Sequence, residues 1–284
     1  MSARWLLTII LPLLASLPPA HGARGEPAYP WLKQGTATRT LRDAVQPPPG
    51  FQRRPASAGS FAHWLRHLPV KPAGSPVMLY DGRRKPRQDA HAAVIDIDVG
   101  SRDLQQCADA VMRLRAEWLY ASGRSADIAF DYTSGGRVPF SRWARGERPS
   151  DNGKRWSRRA QPDAGYASFR KYLTQVFIYA GTYSLSREME PVRSSEVRTG
   201  DVFIKGGFPG HAVLVADVVE KPGTGERRFL LIQSYMPAQD MHVLKNPASA
   251  DGSPWYPERF SWPLSTPEWS FLPGSHKRWP GGRS

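Results

Sequence analysis

From Ser60 to Leu68 (SFAHWLRHL) apolar side chains fall at 61, 64, 65 and 68. This spacing predicts a short amphipathic helix, N-capped by Ser60 and ended by Pro69. Ala92–Val99 (AAVIDIDV) alternates apolar and acidic residues before Gly100 and predicts a strand. A helix is expected directly after it. Ser101 would be its N-cap, Asp103 would lie in its first turn, and Leu104, Cys107, Ala108, Val111, Leu114, Trp118 and Leu119 would form its apolar stripe. Asp127–Tyr132 predicts a second strand and Thr133–Gly136 a turn. The Arg-rich stretch from Arg137 to Arg159, with Trp143 and Trp156, reads as a long surface loop anchored by aromatics, or as a lid or binding edge. Tyr166–Tyr183 predicts a second long helix. After Pro191 the pattern changes to strands at Gly200–Lys205, His211–Val219, Arg228–Tyr235 and Met241–Leu244, with Gly or Pro turns between them. The Pro-rich C-terminal part, with Trp255, Trp262 and Trp269, has little period and is expected to wrap the surface. Helices first and a meander of strands last argue an α+β fold.

The N-terminus adds a compartment. Arg4 precedes an apolar run from Trp5 to Leu17, followed by Pro18, Pro19 and the small-residue site Ala20-His21-Gly22. This is the pattern of a signal peptide spanning 1–22, cleaved between Gly22 and Ala23. The run falls short of the ~20 apolar residues of a membrane span, so a retained anchor is the less favoured reading. The expected mature protein is periplasmic or secreted, with no stable membrane insertion. Its expected organisation is a Pro-rich arm and short helix over 23–90, with Tyr29-Pro30-Trp31 as an anchor, and an α+β domain over 91–284.

Among 284 residues, 39 Lys and Arg face 25 Asp and Glu, a formal charge of +14. That balance suits an anionic envelope polymer such as peptidoglycan, while export argues against nucleic acid as the partner. An Arg-heavy composition can reflect genome base content as easily as function. The single cysteine, Cys107, excludes an intramolecular disulfide. In an oxidising compartment a lone thiol is either buried and inert or kept for its reactivity.

A thiol hydrolase needs a cysteine near a helix N-terminus, a histidine on a separate strand and a polar residue that orients the histidine. Cys107, His211 (after the Gly-rich turn GGFPGH) and Gln233 occur in that order. Gln233 interrupts an apolar row with Phe229 and Leu231 on one strand face, where a polar group wants a partner. If the helix begins at Ser101, Cys107 lies a turn inside it, within the core stripe. If it begins near Gln105, the thiol is at the N-terminus and Gln105 or Gln106 would help form an oxyanion hole.

The segments GDVFIKGGFPGHAVLVADVV and FLLIQSYMPAQ resemble the catalytic strands of papain-like bacterial cell-wall hydrolases, the NlpC/P60 and CHAP groups. The resemblance covers about 40 residues. It implies helices packed on an antiparallel sheet, His211 as base, Gln233 as the orienting residue and no cofactor. The usual helix start at or next to the nucleophile, often D-C-S, is replaced here by Leu104-Gln105-Gln106 before Cys107. Most of the mature chain also resembles a bacterial family of secreted proteins with a domain of unknown function. This second resemblance rests on YPW at 29–31, SFAHWLRHLPVKP from Ser60, LYDGRRKPRQDAHAAVIDIDVG, DLQQCADAVMRLRAEWLY, SRWARGERPS and QSYMPAQDMHVL, and it implies no activity.

The expectation is therefore an exported cysteine amidase or peptidase using Cys107, His211 and Gln233. The rival is a non-catalytic envelope or ligand-binding protein of the same fold with Cys107 in the core. Weaker alternatives are an acid/base pair at Asp96 and Asp98 and metal ligation by His63 with His67, His91 with Asp89, or His242 with Asp240. Phosphate-binding GxGxxG and P-loop signatures are absent from the sequence.

Overall fold

The computed structural model describes residues 27–33 and 39–281, so the signal peptide expected over 1–22 and its expected cleavage point lie outside the described residues. The elements that position the candidate site are helix α1 (Phe61–Arg66), strand β1 (His91–Val94), helices α2 (Cys107–Ala121), α3 (Tyr166–Tyr179) and α4 (Thr182–Glu188), and strands β2 (Val202–Lys205), β3 (His211–Glu220), β4 (Arg227–Gln233) and β5 (His242–Leu244). The main sheet has nine strands, ordered β1-β5-β4-β3-β2 and then His276–Arg278 and Glu190–Pro191. Trp255–Pro257 pairs with β4 and Gln52–Arg53 with β3. Every pairing in this sheet is antiparallel, so the protein is a mixed α/β fold with a mostly antiparallel sheet.

β3 and β4 read as almost unbroken apolar runs because both of their faces are covered. Ala212, Leu214, Ala216, Leu230 and Ile232 pack in one cluster with Ala108, Val111 and Leu114 of α2. Val213, Val215, Phe229 and Leu231 join a second cluster with Phe203, Tyr256, Leu264 and Phe271. A register shift between Val215 and Asp217 interrupts the alternation. There Asp217, 1% exposed, accepts from Arg53 Nε at 2.7 Å and Arg66 Nε at 2.5 Å. Segment 39–90 is part of this body, since Leu41, Phe61, Trp64 and Leu65 share the first cluster with α2. Tyr29 and Trp31 pack on Trp64, at ring-centroid distances of 5.2 and 5.9 Å.

Several boundaries differ from the sequence expectation for identifiable reasons. α1 starts after Ser60, whose side chain accepts from His63 N–H at 3.1 Å, as anticipated. The second expected helix does not start at Ser101. Gly100, with φ +80°, turns the chain, and residues 101–104 form turns in which Asp103 accepts from Ala238 N–H at 2.7 Å instead of supporting a helix end. The expected strand over 92–99 is hydrogen-bonded as a ladder only over His91–Val94. The expected helix over 166–183 breaks at Ala180 and Gly181, both extended, and Gly181 N–H meets Ser184 Oγ at 3.2 Å to start α4. The stretch 137–159 is not an irregular loop. Arg137–Pro139 pairs with Ala129–Asp131, Phe140–Ala144 is helical, and Glu147–Ser150 pairs with Arg155–Arg158. Arg guanidinium groups stack on its tryptophans, Arg148 on Trp143 at 3.8 Å and Arg142 on Trp156 at 4.6 Å. The C-terminal part likewise does more than wrap the surface, because Trp255–Pro257 and His276–Arg278 are strands of the main sheet.

Candidate active site

α2 begins at Cys107 itself, with the extended residue Gln106 as its N-cap. Asp109, the third helical residue, accepts the Gln106 N–H at 3.0 Å, which fixes the start there. The chain just before the helix is tied to the end of β4, where Ser234 Oγ lies 3.1 Å from the Gln105 carbonyl and 2.8 Å from that of Gln239. The later of the two possible helix starts is thus the observed one, and it moves the sulfur from the middle of a stripe to a helix N-terminus.

The backbone N–H groups of Ala212, the residue after His211, and of Ala108 and Cys107 itself act on the thiol in the direction that lowers its pKa. Cys107 is 7% exposed, and burial, with the nearby Asp109 carboxyl, pushes its pKa up to about 11. The resting sulfur is therefore a thiol at neutral pH.

His211 opens β3 at the same end of the sheet at which β4 finishes with Gln233. In an antiparallel pair these are neighbouring ends, which is why residues 22 apart in sequence meet. His211 Nε2 lies 2.9 Å from Gln233 Oε1. The ring sits among Tyr235, Trp269 and Phe271, at centroid distances of 4.9, 5.4 and 5.8 Å, and burial lowers its pKa to about 4. It is consequently a neutral imidazole at pH 7. Three well-exposed apolar side chains lie within three residues of this centre along the chain: Phe208 before His211, Met236 after Gln233, and Leu272 beside Phe271.

Neither glutamine before the cysteine reaches the sulfur. Gln105 Oε1 accepts from Arg113 Nη1 at 2.6 Å, and Gln106 Nε2 donates to Asp103 at 3.0 Å. Asp98 is committed to Arg113 and Arg170, at 2.6 and 2.9 Å, and is not paired with Asp96 on a strand face. Both aspartates line a separate cleft of about 280 Å³ with Trp31, Lys71 and Asp240. His63 and His67 lie with ring centroids 4.4 Å apart, His91 Nε2 contacts the Ser75 carbonyl, and His242 Nδ1 the Asp240 carbonyl. Among the described residues no group of three or more His, Cys, Asp or Glu side chains could hold a metal ion.

Sequence reasoning missed Lys85 and Glu268, which belong to the same polar cluster. Glu268 Oε2 lies 2.7 Å from both Gln233 Nε2 and Lys85 Nζ. No local signal marks them, because they are 183 positions apart and reach the site from irregular segments.

A family comparison matches residues 41–278 to a domain of unknown function, DUF4846. The chain belongs to the DUF4846 family. The matched span takes in Cys107, His211, Gln233 and Glu268 together with every strand of the main sheet. No curated protein and no solved structure matches the chain.

Proposed function

We propose that this DUF4846 protein is an exported papain-like cysteine hydrolase that cleaves amide bonds, with those of peptidoglycan peptides as the first substrates to test. The observation that carries the reading is the position of Cys107. It is the first residue of α2, the backbone N–H of Ala212, the residue after His211, acts on its thiol in the direction that lowers its pKa, and His211 Nε2 lies 2.9 Å from Gln233 Oε1. Export rests on the sequence of residues 1–22, and the choice of an anionic wall polymer on the net charge of +14.

In this reading the Cys107 thiol passes its proton to His211 Nδ1 as sulfur attacks the amide carbon. The C–N bond then breaks, the amine leaves with that proton, and a thioester remains. Water, deprotonated by the same nitrogen, opens the thioester, releases the acid and returns the proton to sulfur. The N–H groups at the start of α2 provide helix-terminal donors for the developing oxyanion. Because thiol and imidazole are both neutral at rest, proton transfer accompanies attack instead of preceding it. The exposed Phe208, Met236 and Leu272, each within three residues of a site side chain along the sequence, make substrates with apolar groups beside the scissile bond the first choice in this reading.

Burial favours a second reading, a non-catalytic binding protein in which Cys107 is a core residue, since His211 is 1% exposed and the thiol 7%. Release of amines from peptidoglycan fragments and peptide amides, compared between the native protein and Cys107→Ala, separates the two. The hydrolase reading expects thiol-dependent turnover, lost on substitution and on alkylation by iodoacetamide. Turnover unchanged in Cys107→Ala would remove Cys107 as the nucleophile, and no turnover together with no labelling before denaturation would leave the binding protein.

A further inference from the structure

A glutamine side chain has one end that only accepts and one end that only donates, so its neighbours decide which way it points. Gln233 has three polar neighbours: Glu268 Oε2 at 2.7 Å, His211 Nε2 at 2.9 Å and His242 Nε2 at 3.3 Å. An ionised carboxylate only accepts, so the group facing Glu268 must be the Gln233 NH2. The reversed amide would bring two acceptor oxygens together at hydrogen-bonding distance. With the NH2 committed, Oε1 faces His211, and His211 Nε2 must carry a proton to donate to it. The basic lone pair of that imidazole is then on Nδ1.

His242 closes the set consistently. Its Nδ1–H donates to the Asp240 carbonyl at 2.9 Å, leaving Nε2 as acceptor for the second hydrogen of the Gln233 NH2. Lys85 Nζ, 2.7 Å from Glu268 Oε2, forms an ion pair with it in which the Lys85 and Glu268 side chains are only 6% and 12% exposed.

We infer that Glu268, paired with Lys85, is a positioning residue that sets the protonation of His211 at Nε2 through the Gln233 amide and thereby presents Nδ1 as the base. The assignment of Nδ1 to catalysis rests on the hydrolase reading above, whereas the tautomer itself does not. Glu268 lies in the turn of the hairpin formed by Leu264–Ser265 and Ser270–Phe271, closed by Thr266 N–H on the Trp269 carbonyl at 2.7 Å. The same hairpin carries the Trp269 and Phe271 rings against His211. One turn thus supplies both the orienting charge and the aromatic wall of the imidazole.

Nitrogen-15 NMR of histidine-labelled protein at pH 7 reads the tautomer directly, with His211→Gln identifying the resonance. The wild type is expected to show His211 protonated at Nε2 in essentially all molecules. Glu268→Leu combined with Lys85→Leu removes both charges together, so no buried ion is orphaned, and is expected to fold with a mixed His211 tautomer. Glu268→Gln keeps an acceptor for the Gln233 NH2 and is expected to restore the wild-type pattern. In turnover the double variant should lose about 10-fold or more in kcat with KM within about twofold, and Glu268→Gln should recover most of it. A wild-type His211 protonated at Nδ1, or a folded double variant with an unchanged tautomer, would overturn the inference whatever the activity. The expected tautomer shift in a protein without thiol-dependent turnover would uphold the role of Glu268 and remove only the hydrolase reading.

Discussion

Replacing Gly210 with alanine tests how tightly the fold fixes the candidate base. Gly210 immediately precedes His211, whose partner across the ladder is Lys205. A Cβ on Gly210 would lie 2.2 Å from Thr182 Oγ1 and 2.6 Å from the carbonyl oxygens of Gly207 and Lys205. Ordinary Cβ contacts begin near 3.4 Å, so each of these neighbours would have to retreat by about 1 Å. None of them is a free side-chain end. Thr182 is 9% exposed at the start of α4, and its Oγ1 donates to the Gly207 carbonyl at 3.1 Å; the other two contacts are backbone. Overpacking of this kind costs about 1–3 kcal/mol, and breaking the Thr182–Gly207 bond adds about 1 kcal/mol. The expected loss is therefore about 2–4 kcal/mol, measured as a lower urea midpoint with an unchanged slope. It should be accompanied by a shift of the His211 ring resonances and a fall in any thiol-dependent turnover. Phe208→Ala in the same turn, at a side chain 84% exposed, is the control and should change stability by less than about 0.5 kcal/mol. A Gly210→Ala protein within about 0.5 kcal/mol of wild type, with His211 signals unmoved, would refute the view that the turn clamps the imidazole.

Two further outcomes follow from buried charge. His211, with a folded pKa of about 4 against an unfolded value of 6.5, should remain neutral on NMR titration to pH 5.5. Because the unfolded chain binds the proton first, its contribution to stability is present above pH 6.5 and is lost as pH falls toward 4, so a midpoint above pH 6 would contradict the burial argument. Asp217→Ala strands Arg53 and Arg66 without their shared carboxylate and should cost about 3–5 kcal/mol by urea denaturation. A loss below about 1 kcal/mol would show that water reaches those guanidinium groups.

Much of the fold was legible because its signals are local. The apolar runs of β2, β3, β4 and β5, the Ser60 cap and the period of α2 each follow from residues next to one another in the chain. The contact between His211 and Gln233 was legible for a related reason: a polar residue in an apolar row must be satisfied, and Gln233 is met by His211. The start of α2 was not decidable locally. Starts at Ser101 and near Gln105 were both open, and the choice was made by Ser234 against the Gln105 carbonyl and by Ala238 against Asp103, contacts more than 120 residues distant in sequence. The same holds for 137–159, where strand pairing and Arg–Trp stacking organise a stretch with no period of its own.

The amino-acid order alone determined which segments could be helix or strand and which residue types were available for chemistry, since side-chain periodicity and turn preference act over a few positions. Only the tertiary structure decided that Cys107 starts a helix rather than lying a turn inside it. It also decided that a lysine and a glutamate from irregular chain reach the glutamine behind the histidine. Hydrogen bonds and ion pairs depend on distance in space, and nothing in the spacing of Lys85, Gln233 and Glu268 encodes that they converge.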